Sequence, residues 1–269
     1  MASPSTLSRG LAALLEAGVA AGLTPGAQLE VGDARGPACT LHAGHLWAAP
    51  QEGGVASHTP HALHISPPEV DGQTRFDLAS VTKPLAVGLL MKRALTLGCA
   101  RLDMTLGDAL GDAPAAIGGL PAEKAALRLD DLLAHRAGLA AWLPFFEQMP
   151  ASARGQVAGR DWVRAAALRH PLEATPGTRE RYSDLGYLLL AWALESLLGG
   201  RFDQLFAQEV AQPLGLTRTG FVARGWGATP LQDAVCTEDV DWRGGVVWGE
   251  VHDDNTAAMG GVSGHAGLF

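Results

Sequence analysis

The sequence predicts an α+β protein, and three observations carry that prediction. Residues 27–46 show a β-hairpin pattern, residues 80–212 a succession of helical patterns, and Val246–Phe269 a glycine-rich stretch. Taken in order, Leu7, Leu11, Leu14, Leu15 and Val19 share a helical face, and Ser3-Pro4 or Ser5 would start that helix. Pro25-Gly26 interrupts it. Ala27–Val31 and Ala38–Leu46 are then β-prone runs on either side of Gly32-Asp33-Ala34-Arg35-Gly36, the pattern of a hairpin. Residues 48–74 lack periodicity and read as a loop. A strong helix is expected from Ser80 to about Leu97, ended by Gly98. Short helical pieces follow in 101–139, including Leu129–His135, with a stop at Gly138. Further helices are expected at Trp162–Arg169, at Leu185–Leu198 before Gly199-Gly200, and at Phe202–Gln212.

Composition narrows the function classes. Hydrophobic residues make up 47% and charged residues 18% of 269, ample for a core and unlike a disordered chain. Twenty basic against 28 acidic residues give a net charge of −8 with no basic stretch. Nucleic acid and anionic membrane surfaces are therefore not expected as partners, and a small-molecule substrate is. No stretch approaches the roughly 20 apolar residues of a membrane span. Arg9 is the only early basic residue and Glu16 interrupts Leu11–Leu23, so a cytoplasmic location is expected. Cys39, Cys99 and Cys236 form no disulfide framework and read as small buried hydrophobes. His58, His61 and His64 recur every third residue, but Pro60, Pro67 and Pro68 deny them a dependable helical face. No carboxylate or cysteine completes a ligand set there, so neither metal nor cofactor is expected.

The chemistry centres on one serine and one lysine. Lysine is rare here, and of Lys83, Lys92 and Lys124 only Lys83 has a serine three positions before it. Residues three apart share a helix face, so Ser80 and Lys83 can meet. Pro84 has no N–H to donate, which suits regular helical bonding beginning only around it and sets Ser80 at the helix start. Free N–H groups and the helix dipole there favour a developing oxyanion. A serine hydroxyl needs a base to become a good nucleophile, and lysine, unlike arginine, can serve as one. The same pattern also fits an N-capping serine beside a solvated lysine. Both tyrosines lie in Arg181-Tyr182-Ser183-Asp184-Leu185-Gly186-Tyr187, just before an apolar helix. From that position Tyr182 can project into a cleft as a second base, or sit as a half-buried aromatic. Ser183 or Asp184 would cap the helix.

These segments resemble the serine β-lactamase-like family, in the branch that groups class C β-lactamases with D,D-peptidases and esterases. Phe76–Pro84 is similar to its SxxK block, Leu132–Leu139 to its LLxHxSGL stretch, Pro176–Asp184 to its PGT…YSN block and Pro213–Leu216 to its PLGM block. The resemblance covers nearly the whole chain and runs in family order. It implies a β-lactamase-like α+β fold: an antiparallel sheet flanked by helices, plus a helical region. Residues 1–269 are accordingly expected to be one domain. Within it, 1–79 would carry the first helix and hairpin, 80–220 the mainly helical part, and 221–269 the return toward the sheet.

The resemblance also implies a mechanism. Ser80 would form an acyl-enzyme from a small ester, amide or lactam-like substrate, with Lys83 and Tyr182 sharing the proton traffic. The Ser80 N–H would supply half of an oxyanion hole. Asp184 stands where the family has asparagine; it would pair with Lys83, hold it charged and favour Tyr182 as base. Asp184, His135, His252 and His265 are candidate pocket residues, although His135 also fits a role orienting a loop by hydrogen bonds and the cluster His252-Asp253-Asp254-Asn255 a plain turn. His265-Ala266-Gly267 fits the family's third motif, but Gly264–Phe269 looks more like its glycine-rich GGLxS segment. The third motif and the strands that complete the sheet are therefore expected beyond Phe269, and a chain of this extent is expected to be weakly active or inactive alone. The competing class is a non-catalytic binding protein that retains the fold.

Overall fold

The computed structural model describes residues 4–47 and 66–269, so His58, His61 and His64 lie outside the described residues. The chain gathers into two compact units, Met1–Asp77 with Pro230–Gly249, and Leu78–Thr229 with Glu250–Phe269.

In the first unit α1 (Pro4–Ala20) packs on a hairpin of β1 (Gly26–Asp33) and β2 (Gly36–Gly44). Leu11, Leu15 and Val19 are half-buried at i, i+4, i+8, whereas Leu14, expected on the same face, is exposed. The strands reach closer together than the sequence suggested, leaving a two-residue turn at Ala34-Arg35. Asp33 tightens it by accepting the Arg35 backbone N–H at 2.9 Å. The antiparallel register runs from Gly26 opposite Gly44 to Asp33 opposite Gly36, with an irregularity at Val31/Gly32. A second short antiparallel pair joins β3 (Asp239–Val240) to β4 (Gly245–Val246). Leu46, Trp47, Val70 and Val235 form the core, with Phe76, Cys236 and Trp248 against it.

The second unit is helical. It opens with a 3-10 turn (Ala79–Val81), a π-helical turn (Lys83–Gly88) and α2 (Leu89–Thr96), and Gly98 ends this run in the left-handed conformation. The wide turn falls where Pro84 supplies no N–H, a physical reason for local departure from α-helical bonding. Short helices α3 (Leu106–Leu110), α4 (Ala122–Ala125), α5 (Leu129–Leu133) and α6 (Phe145–Gln148) follow, then α7 (Val157–Arg169). Next come α8 (Asp184–Leu198) and α9 (Phe202–Phe206), and α10 (Asp254–Ala258) lies in the glycine-rich tail, where no helix was expected. Asp253 explains α10: its carboxylate accepts the Thr256 N–H at 2.7 Å, an N-cap.

Helix α8 organises this unit. It is apolar on nearly every side and is packed by α2, α3, α5, α7 and α9. Leu185, Leu188, Leu189, Leu190 and Leu194 are buried along it. Each such leucine stabilises the fold by about 1.5–3 kcal/mol relative to exposure. Glu195 accepts the Phe202 N–H at 2.9 Å and pairs with Arg164, joining α7, α8 and α9. The three cysteines form no disulfide and are half-buried rather than fully buried; Cys39 Sγ lies 3.3 Å from Ser8 Oγ.

Close approach of Gly264 brings the tail against the helices. A β-carbon there would collide with the Tyr187 carbonyl and stand 2.8 Å from Ala191 Cβ and 2.9 Å from Val87 Cγ2. Gly264→Ala is therefore expected to destabilise the protein by about 1–3 kcal/mol. Urea denaturation would show this as a lower midpoint; an unchanged midpoint would contradict the packing.

Candidate active site

Three separate segments converge on Lys83. The lysine side chain is only 3% exposed, so its amine needs partners. Lys83 Nζ donates to Ser80 Oγ at 3.0 Å and to the His265 backbone carbonyl at 3.1 Å. Asp184 Oδ1 lies 2.7 Å from Nζ as an ion pair. Nζ also lies over two aromatic rings, 4.7 Å from the Tyr182 centroid and 5.8 Å from that of Tyr187. Ser80 and Tyr182 are exposed above this buried amine.

The Tyr182 segment is held by the loop after α5. His135 sits at φ 56°, a left-handed conformation costly for a residue with a β-carbon. Several contacts fix it there. His135 Nδ1 accepts the Ser183 N–H at 3.0 Å and its carbonyl accepts the Arg181 N–H at 2.8 Å. Its ring stands 4.5 Å from Tyr182 and 5.0 Å from Tyr187, tilted against both. Farther along, the Asp184 N–H bonds the Ala141 carbonyl at 2.9 Å, and Ser183 Oγ donates to the Ala140 carbonyl at 2.7 Å. Ser183 Oγ also accepts the Gly186 N–H, so Ser183 rather than Asp184 is the N-cap of α8. Gly138 adopts φ 72° where a β-carbon would collide with the Ala174 carbonyl. The stretches 135–141 and 173–184 thus run side by side and carry Tyr182 and Asp184 to Lys83.

The tail closes the other side. Leu268 accepts the Leu78 N–H at 2.8 Å and donates its own N–H to Thr82 Oγ1 at 3.1 Å, bracketing the turn that bears Ser80. The His265 ring is 2% exposed and is enclosed rather than facing a pocket; its carbonyl is what reaches Lys83. His252 is half-buried in the turn leading into α10, and its neighbour Asp253 is the residue that reaches His265.

Sequence reasoning brought forward Ser80, Lys83, Tyr182, Asp184 and His135, and the structure gathers all five. It missed Tyr187, whose hydroxyl donates to the Leu133 carbonyl at 3.1 Å and whose burial, aided by Tyr182, pushes its phenol up. The spacing of Tyr187 five residues after Tyr182 was the available signal. Ser263 and Thr256, which surround the His265 ring, were also missed, and nothing local in the sequence marks them. Among the described residues, no group of three His, Cys, Asp or Glu side chains could hold a metal.

Burial and the nearby Lys83 charge hold the His135 imidazole below its ordinary value, outweighing the opposite pull of the Glu180 and Asp184 carboxylates. Below the ordinary histidine range the unfolded chain takes up a proton before the folded one does. Stability attached to this ring is therefore complete above that range and lost as pH falls through it. Urea midpoints should drop between about pH 7.5 and about pH 5, and the drop should be shallower in His135→Asn. Equal slopes in both proteins would contradict this assignment.

Comparison with known proteins bears on the whole arrangement. Residues 11–269 match the family model described as Beta-lactamase. A protein of Escherichia coli O157:H7 named "Putative D-alanyl-D-alanine carboxypeptidase" is 32% identical over 231 residues, covering 81% of this chain and 52% of that protein. The chain thus spans about half the length of the curated relatives it matches. Two solved structures are similar in fold. The octameric penicillin-binding protein homologue of Pyrococcus abyssi has a TM-score of 0.67 at 17% identity, over 96% of this chain and 52% of that one. The D-amino acid amidase of Ochrobactrum anthropi SV3 has a TM-score of 0.63 at 19% identity, over 98% of this chain and 66% of that one. No helix among the described residues is long and apolar enough to cross a membrane. Sequence and fold agree that this chain belongs to the Beta-lactamase family.

Proposed function

We propose that this protein is a serine hydrolase that cleaves small amide or ester substrates through an acyl-enzyme on Ser80. The observation that carries the proposal is the buried Lys83 amine, 3.0 Å beneath an exposed Ser80 hydroxyl and 4.7 Å from the Tyr182 ring. Ser80 Oγ attacks the substrate carbonyl, and its proton passes to the Lys83–Tyr182 pair as the C–O bond forms. The negative charge that develops on the carbonyl oxygen is met by the Ser80 N–H at the mouth of the helix. The C–N or C–O bond to the leaving group then breaks, and the leaving group takes the proton held by the pair. Water enters, gives a proton back to the same pair and displaces the serine, which regains its hydrogen.

The pairing with Asp184 divides the roles. A carboxylate next to an amine favours the ammonium form. In this scheme Lys83 supplies positive charge and orientation, and the Tyr182 oxygen is the group that takes the serine proton. Substrates with a D-amino acid on the acyl side are the favoured class. The names of the Escherichia coli relative and of the Ochrobactrum anthropi amidase support that choice.

Fluorophosphonate labelling and hydrolysis of D-alanine p-nitroanilide and D-alanyl-D-alanine test the proposal. Ser80→Ala should lose all covalent labelling. Tyr182→Phe, which removes the oxygen that takes the serine proton, should slow labelling by about 10²–10⁴-fold. Labelling that persists in Ser80→Ala overturns the assignment. A folded chain that binds D-alanyl-D-alanine without ever labelling would mark it as a binding protein.

A further inference from the structure

A second polar cluster surrounds the His265 ring. Asp253 Oδ1 is 2.9 Å from His265 Nε2, Thr256 Oγ1 is 3.2 Å from the same nitrogen, and Ser263 Oγ is 2.7 Å from His265 Nδ1. Thr256, Ser263 and His265 are all buried. Burial alone would push the Asp253 carboxyl up, but the charge and hydrogen bond of His265 and the Thr256 contacts outweigh it, leaving Asp253 well below the usual carboxylate range. An ionised Asp253 only accepts, so Nε2 carries a hydrogen, and the Ser263 hydroxyl donates to Nδ1 when the ring is neutral. Both ring nitrogens are thereby occupied, and the imidazole has one orientation.

That orientation matters through the backbone. The His265 carbonyl is a partner of Lys83 Nζ, at 3.1 Å. A carbonyl only accepts, so it takes one N–H of Lys83 whether the side chain is an amine or an ammonium. Asp184 draws Nζ from another direction at 2.7 Å. With these two sides of the nitrogen engaged, one of the remaining directions points at Ser80 Oγ. The ring itself touches none of the reacting groups.

We propose that His265, fixed by Asp253, Ser263 and Thr256, is a positioning residue for the Ser80–Lys83 pair: its buried ring anchors the peptide carbonyl that aims Lys83 Nζ at the serine hydroxyl. This rests on Ser80 being the nucleophile and explains why hydrogen-bonding side chains enclose the His265 ring. Loosening the anchor lets Nζ drift from Oγ, which slows bond formation to Ser80 and leaves initial binding intact.

The test measures fluorophosphonate modification of Ser80 in the full chain, scoring the maximal rate constant per modifiable site separately from the half-saturating reagent concentration. In Asp253→Asn and Ser263→Ala the maximal rate constant should fall about 10- to 100-fold while half-saturation is unchanged. His265→Gln should retain more of the rate than His265→Ala. A purely structural role would instead reduce the fraction of folded, modifiable protein and leave the rate per site alone. Should Asp253→Asn fail to fold, Ser263→Ala, which removes a single hydroxyl, decides the matter. If the parent chain labels and folded variants match its rate, this inference is overturned alone. If the parent chain never labels at Ser80, the hydrolase assignment falls and takes this inference with it.

Discussion

Removing a lysine amine from water is costly, and the arrangement of the second unit follows from how Lys83 is compensated. Its partners come from three places in the chain: the preceding turn of its own helix, the start of α8, and the tail at His265. Breaking one side of such a buried pair leaves an uncompensated group, at a cost of roughly 3–5 kcal/mol. The convergence therefore constrains the fold as much as it shapes the site. Helix α8 can present Asp184 only because the loop at 135–141 holds residues 181–184. The tail can present its carbonyl only because Gly264 admits the backbone between α8 and the turn before α2.

Exposure is graded across this convergence. Ser80 and Tyr182 face outward, whereas Lys83 and the His265 ring are almost fully buried. Side chains that must meet a substrate are thus supported by groups largely removed from water. In such a setting hydrogen bonds are electrostatically stronger and reorganise less. The strained φ of His135 belongs to the same pattern. An unfavourable backbone conformation persists because an N–H, a carbonyl and two aromatic rings each hold it in place.

Much of this was legible in the sequence wherever the responsible physics is local. A three-residue spacing with proline after it placed Ser80 and Lys83 together at a helix start. Glycines at 98, 138 and 199 marked chain reversals, and all three adopt positive φ. The single run containing both tyrosines identified the second segment. Long-range contacts carried no comparable signal. Lys83 meets a carbonyl 182 positions away, and a carbonyl contact depends on where the backbone goes rather than on residue type. Helix α10 was hidden by its short length and glycine-rich surroundings, although Asp253 three residues before Thr256 was its cap. The π-helical turn at Lys83–Gly88 shows only as the oddity of a proline early in a strong helix. Leu14 was misplaced because five apolar residues had been fitted to a face narrower than they span.

The claim that everything else depends on is spatial: one buried amine holds the Ser80 hydroxyl while being held itself from two other segments. A crystal structure of the chain after fluorophosphonate treatment tests it most directly. Continuous density is expected from Ser80 Oγ to phosphorus, with Lys83 Nζ beside that oxygen and still bonded to the His265 carbonyl. A Lys83 side chain turned out to solvent, or an adduct on any other residue, would contradict it.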